Sequence, residues 1–247
     1  MQNITLENFL ELYKLKAFGI NAVNRCNLKF PIIPNENLVR MVSYLTFDGH
    51  LSLKQHCFLY TGKDENSIQP FRKLIMKIFK IDGVLRFKND GSFGPSCEFR
   101  VFNNPITKLL YLAGAPSGNK TLQRFDMPNW ISQNKEFTRF YLQVAFDCEG
   151  SIWKGKDGRI GINFTMAKEE SILDDAINFL TMMQKLLLDY FGIKSGKITI
   201  IDGNTRKDGK RTKFLRFKIS NDSLKKFKRG IVFISYIKNN KLNLYVN

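Results

Sequence analysis

An apolar segment that ends in an acid followed by glycine occurs twice in this chain, and that recurrence restricts its folding more than any other feature. Residues 38–49 read LVRMVSYLTFDG, and residues 139–150 read RFYLQVAFDCEG. A second pair keeps the same order: FRVFNNPITKL over residues 99–109 and FKISNDSLKKF over residues 217–227. One such match arises easily by chance, whereas two in the same order indicate tandem copies of one α/β unit. A length of 247 residues gives each copy room for its own core. The copies are expected at 35–114 and 135–247, joined by a linker over 115–134 that holds the breakers Pro116, Gly118 and Pro128. Residues 1–34, with a helix expected over 6–16, form an extension without a counterpart in the second copy.

Within the first copy the apolar pattern predicts strands over 51–60, 84–88 and 97–102, with helices over 68–80 and 106–112. The second predicts strands near 151–154, 159–166, 197–201 and 212–219, with helices over 169–191 and 222–229. Side chains of a strand alternate between two faces. Leu215, Phe217 and Ile219 therefore share one face, and Arg216 and Lys218 the other. Ile160, Ile162, Phe164 and Met166 likewise oppose Arg159 and Asn163, while Arg86 with Lys88, and Glu98 with Arg100, fall on polar faces. A sheet with one core face and one basic, amide-bearing face suits a nucleic acid, where cations meet phosphates and amides or guanidinium groups reach base edges. The same alternation also describes a merely solvated face.

Charge narrows the partners. Lys and Arg number 39 against 22 Asp and Glu, a formal charge of +17, which favours association with polyanions. The longest apolar stretches, 109–115 and 230–237, are far shorter than the ~20 residues of a membrane-spanning helix. The first 16 residues resemble neither a signal peptide nor an Arg-rich transit peptide. The protein is thus expected to act inside the cell, in an organelle such as the mitochondrion or in prokaryotic cytoplasm; abundant Lys and Asn suggest an AT-rich coding source. Cys26, Cys57, Cys97 and Cys148 are widely spaced and read as reduced thiols. With two histidines, His50 and His56, and no phosphate-binding glycine loop, the chemistry falls to carboxylates, lysines and arginines.

The two recurring segments are apolar nearly all round, which marks buried helices. If a pseudo-twofold axis relates the copies, each helix is the natural partner of the other. Asp48 and Glu149 then stand at the helix ends, before Gly49 and Gly150, which can take the left-handed conformation that stops a helix. An anion there opposes the helix dipole at a cost of roughly 0.3–1 kcal/mol, and two such carboxylates brought together repel. A divalent metal resolves both problems, and carboxylates, water and substrate phosphate suit Mg²⁺. The unpaired carbonyls of Phe47 and Cys148 are candidate additional ligands. Asp-Gly and Glu-Gly are also ordinary turn signals; one alone reads as a turn, the matched pair as a metal site.

MVSYLTFDG and LQVAFDCEG resemble the two signature helices of a single-chain LAGLIDADG homing endonuclease, a resemblance that covers about residues 35–247. It implies an α+β fold of two pseudo-symmetric αββαββα halves packed through the signature helices, each half with an antiparallel sheet forming a saddle on the DNA major groove. It also implies a monomer that hydrolyses phosphodiesters on both strands of a long asymmetric target. Asp48 and Glu149 become the metal-binding acids, with Mg²⁺, Mn²⁺ or Ca²⁺ at the same sites. Arg100 and Lys218 take the place of the basic residue near the catalytic centre, with Lys218 favoured because an ammonium can polarise a phosphate or orient water. The DNA contacts implied are Lys54, His56, Arg86, Lys88, Arg100, Lys154, Arg159, Asn163, Arg216 and Lys218. Two departures stand out: Val144 is bulkier than Ser43 at the position where the helices approach, and Thr46 replaces the first acid that Asp147 retains. Met1 at one end, and Val246-Asn247 without a preceding His at the other, favour an intron-type enzyme over an intein. Maturase action on intron RNA and non-catalytic DNA-binding regulation are the alternative uses of the scaffold.

Overall fold

The structure, a computed structural model, describes residues 3–88 and 94–246; Asn247, weighed above as a splicing end, lies outside the described residues. The chain divides into two compact units, Met1–Gly118 and Asn119–Asn247. Both are α+β, each with a four-stranded antiparallel sheet.

The first unit runs α1 (Leu6–Glu11), α2 (Lys16–Arg25), α3 (Glu36–Thr46), β1 (Gly49–Ser52), β2 (Cys57–Gly62), α4 (Glu65–Phe79), β3 (Val84–Lys88), β4 (Ser96–Phe102) and α5 (Asn104–Leu112). Its strand order is β1-β2-β4-β3. The helices begin where the chain supplies caps: Asn35 accepts from the Leu38 amide, Asp64 from Ser67 and Asn103 from Ile106. Tyr44, Tyr60, Phe71 and Phe99 join α3 and α4 to one face of the sheet, with neighbouring ring centroids 5.1–6.4 Å apart.

The second unit runs α6 (Asn129–Ser132), α7 (Lys135–Glu149), β5 (Gly150–Lys154), β6 (Ile160–Glu169), α8 (Leu173–Phe191), β7 (Thr199–Thr205), β8 (Arg211–Lys218), α9 (Leu224–Gly230) and α10 (Tyr236–Tyr245). Its strand order, β5-β6-β8-β7, repeats that of the first unit. Here the core is built on Phe146 of α7, which meets Phe164, Phe217 and Phe227 at 4.9–6.2 Å. Among the described residues no helix is long and apolar enough to cross a membrane.

Several expectations change. The strand expected over 51–60 is a hairpin: the Gln55 amide donates to Ser52 Oγ, and His56 turns the chain at φ 53°. The single N-terminal helix is two, and both pack on α5, where Lys108 Nζ donates to the Leu12 carbonyl at 2.5 Å. The linker contains the short α6, and residues 170–172 form a 3₁₀ turn before α8. Gly49 and Gly150 are not left-handed. Each opens a strand, and Gly150 is extended at φ −87° and ψ 150°. A Cβ would fall 2.8 Å from the Tyr44 carbonyl oxygen at Gly49 and 2.3 Å from that of Phe146 at Gly150. Close approach of the strand to the preceding helix, rather than positive φ, therefore requires glycine there. Helix α10 had no counterpart in the sequence reading.

Candidate nucleic-acid interface and metal-binding acids

Each signature helix delivers its last acid to the start of a sheet. Asp48 lies between the end of α3 and Gly49 and is exposed. Glu149 is the last residue of α7 and half-buried. Both are hard oxygen donors of the kind Mg²⁺ takes, and Mg²⁺ fills its remaining positions with water and substrate phosphate. Among the described residues no three or more His, Cys, Asp and Glu cluster where they could hold a metal ion. Phe47, the residue after α3, is buried, and Cys148 is half-buried. Around Cys148 the carbonyls of Phe146, Asp147 and Gly150 all accept from Lys238 Nζ. Backbone oxygens at this helix end are thus occupied by a side-chain cation, which the sequence reading missed.

Cross-strand register groups the predicted contacts on the sheet faces turned away from the aromatic cores. In the first unit His50, Leu59, Arg100 and Val84 form one row, and Thr61, Glu98 and Arg86 the next. Glu98 is 3% exposed. It accepts from Lys88 Nζ at 2.8 Å and from Arg100 Nε at 3.0 Å. Burial pushes its carboxyl pKa up, but the two cations outweigh that and hold it below the usual glutamate value. Arg100 and Lys88 are therefore committed to an internal carboxylate. Lys54 and His56 stand exposed in the β1–β2 turn, and Arg86 is exposed on the edge strand.

In the second unit Ser151, Asn163 and Lys218 form the row that corresponds to His50, Leu59 and Arg100. Lys218 Nζ lies 5.2 Å from the centroid of the Trp153 ring. That ring lies on Gly161, where an added Cβ would fall 2.4 Å from Trp153 Cε2, so the glycine makes room for the indole. In the next row Arg216 is exposed and donates to Thr165 Oγ1 at 3.1 Å. Asn163, Lys218 and Arg216 are thus brought together, as the alternation predicts. Lys154 is not with them: it shares the face of Ile152, and its Nζ lies 5.8 Å from the Tyr245 ring of α10. Arg159 precedes β6 in a tight turn and pairs with Asp157 at 2.5 Å.

A further lysine escaped the sequence reading. Lys168 lies on the core face of β6, 4% exposed, and its Nζ donates to the carbonyls of Lys120 at 2.5 Å and Gln123 at 3.0 Å. Burial, reinforced by Lys120, lowers its pKa to about 7, while Glu149 and Asp175 oppose the shift. The signal was a lysine in phase with Ile162, Phe164 and Met166, where an exposed cation does not belong.

Comparison with known proteins bears on this geometry. Residues 136–231 match the family model of the LAGLIDADG-like domain. A tRNA-splicing ligase RtcB of Pyrococcus abyssi is 29% identical over 152 residues, 58% of this chain and 16% of that protein. The chain spans less than a fifth of the curated relatives it matches, which include a Methanocaldococcus jannaschii RNA polymerase subunit and an aminotransferase. In fold, the chain resembles the homing endonuclease I-WcaI bound to its DNA recognition sequence, with a TM-score of 0.56 at 12% identity over 97% of this chain and 98% of that one. The N-terminal LAGLIDADG domain of DUF199/WhiA gives 0.51 at 12% identity, over 89% of this chain and 93% of that one.

Proposed function

Because the chain carries a LAGLIDADG-like domain and resembles the single-chain LAGLIDADG homing endonucleases in fold, we propose that it is a DNA endonuclease of the homing type. It hydrolyses one phosphodiester on each strand of a long asymmetric target, as a monomer encoded within an intron. The observation that supports this most is the matched pair of acids, Asp48 and Glu149, each at the end of a signature helix and the start of a sheet. Their carboxylates would hold a divalent metal such as Mg²⁺, which would supply positive charge to stabilise the reacting phosphodiester.

The chain's own groups do the rest. Lys218 presents an ammonium to the phosphate or to the attacking water. Arg216 reaches phosphate or a guanine edge, and Asn163 an adenine edge. The relatives include a tRNA-splicing ligase, an RNA polymerase subunit and an aminotransferase, each matched over less than a fifth of its length, which favours a shared module over any of their activities. The fold is shared with WhiA, so the case for cleavage rests on the acids and not on the scaffold.

Purified protein challenged with a randomised duplex library and Mg²⁺, followed by sequencing of the survivors, identifies the target. On that target Asp48→Asn abolishes cleavage and spares binding; full double-strand cleavage by this variant would sink the assignment. Duplex affinity falls by roughly 10³–10⁵ between about 50 and 200 mM salt if about 6–10 phosphates are contacted. A flat salt profile removes the basic faces as the DNA surface.

A further inference from the structure

Resting on the reading of Glu149 as a metal ligand, we propose that Lys238 of α10 is a positioning residue for that carboxylate. Its Nζ donates to the Asp147 carbonyl and, at 2.7 Å, to the Gly150 carbonyl, with the Phe146 carbonyl at 3.5 Å. The Asp147 and Gly150 oxygens bracket Cys148 and Glu149, so one ammonium closes the backbone on both sides of the acid. The α7 end returns the interaction. Asp147 accepts from the amides of Ile234 at 3.0 Å and Ser235 at 2.8 Å, immediately before α10. A cation thus sits at the C-terminus of α7 and an anion at the N-terminus of α10, the favourable sign at each helix end.

The reciprocal arrangement explains two features left open by the sequence. The first acid of the motif is retained in the second copy because α10 needs it, and Thr46, in the first copy, bonds back to the Val42 carbonyl at 2.8 Å inside its own helix. A carboxylate at a helix C-terminus is also tolerated before any metal arrives, because Lys238 is already there. Helix α10 buries only Leu242 among its own residues and packs beside β5. The anchoring polar groups converge on the backbone that carries Glu149.

Binding of Mn²⁺ alone to the full-length protein, followed by electron paramagnetic resonance of the free ion, tests this without cleavage. Lys238→Met raises the Mn²⁺ dissociation constant at least tenfold at a temperature where circular dichroism shows it folded. Lys238→Arg, which keeps a donor for the carbonyls, stays within threefold of wild type. Should K238M fail to fold, Lys238→Ala, which also lacks a donor, is read by the same criterion. Equal Mn²⁺ affinity in folded K238M and wild type, with or without a lower melting temperature, overturns the positioning role and leaves the metal assignment standing. If Glu149→Gln binds Mn²⁺ as wild type does, or wild type binds none, the ligand assignment fails first and the inference with it.

Discussion

Arg100 and Lys218 occupy corresponding positions in two sheets of identical strand order, yet one is paired with a buried carboxylate of its own unit and the other is not. In the first unit Glu98 sits beside Arg100 in the neighbouring row and draws in Lys88 as well. In the second unit the position of Glu98 is filled by Arg216, and Lys218 rests against the face of Trp153. A guanidinium bound to a buried carboxylate stabilises its own sheet and offers little field to a phosphate. An ammonium against an indole keeps its charge available. Matched topology therefore does not make matched cations equivalent, and the second unit is the one built to present charge.

The largest consequence is catalytic. Lys218→Met should lower the cleavage rate by about 10²–10⁴, the range for removing a positioned acid, base or electrostatic group. Arg100→Met should cost far less in rate and more in stability. Single-turnover cleavage beside denaturant unfolding of both variants decides the matter, and equal rate losses would erase the contrast.

A second contrast is hidden in the core. Lys168 corresponds in register to Asp64, which in the first unit caps α4 after β2 has ended. In the second unit β6 runs on to Glu169 and carries the lysine inward. Its pKa of about 7 lies below the ordinary lysine value of 10.5. Between those values the unfolded chain holds a proton that the native chain lacks. Stability therefore rises with pH by about 1.4 kcal/mol per unit in that window and is flat below it. Lys168→Met loses this slope. Denaturant midpoints at pH 7 and pH 9 measure it, and parallel behaviour of wild type and variant would refute the buried amine.

Glu98 has the opposite sign. Its folded carboxyl is held below the ordinary glutamate value, so its contribution is present above the unfolded pKa and fades as pH falls through the folded one. Glu98→Gln should cost roughly 1–3 kcal/mol at neutral pH, the range for charged hydrogen bonds to a buried group, and the difference from wild type should shrink on acidification. Undiminished loss in acid would assign the effect to packing instead of charge.

Legibility followed range. The signature helices, the acids at their ends and the faces of β6 and β8 were readable because each is set by local period or by a charge placed against a helix dipole. The β1–β2 hairpin was not, since residues 53–56 turn without glycine or proline and His56 supplies the positive φ. Helix α10 escaped because it lacks a core stripe, and it holds α7 through hydrogen bonds between residues 87 to 92 apart in sequence. Glu98 could be placed on a polar face but not recognised as buried, because one of the cations that pair with it, Lys88, comes from another strand.

The smallest effect separates a supporting ring from a bystander. If Trp153 fixes Lys218, then Trp153→Leu removes a cation–π contact of about 0.5–1 kcal/mol and lowers cleavage a few-fold, while duplex binding at moderate salt changes little. The decisive comparison is in the background lacking the ammonium. In Lys218→Met there is no cation for the indole to hold, so adding Trp153→Leu should leave the rate unchanged. A ring that merely covers Gly161 would instead cost the same in both backgrounds, and the availability of Lys218 would then owe nothing to its neighbour.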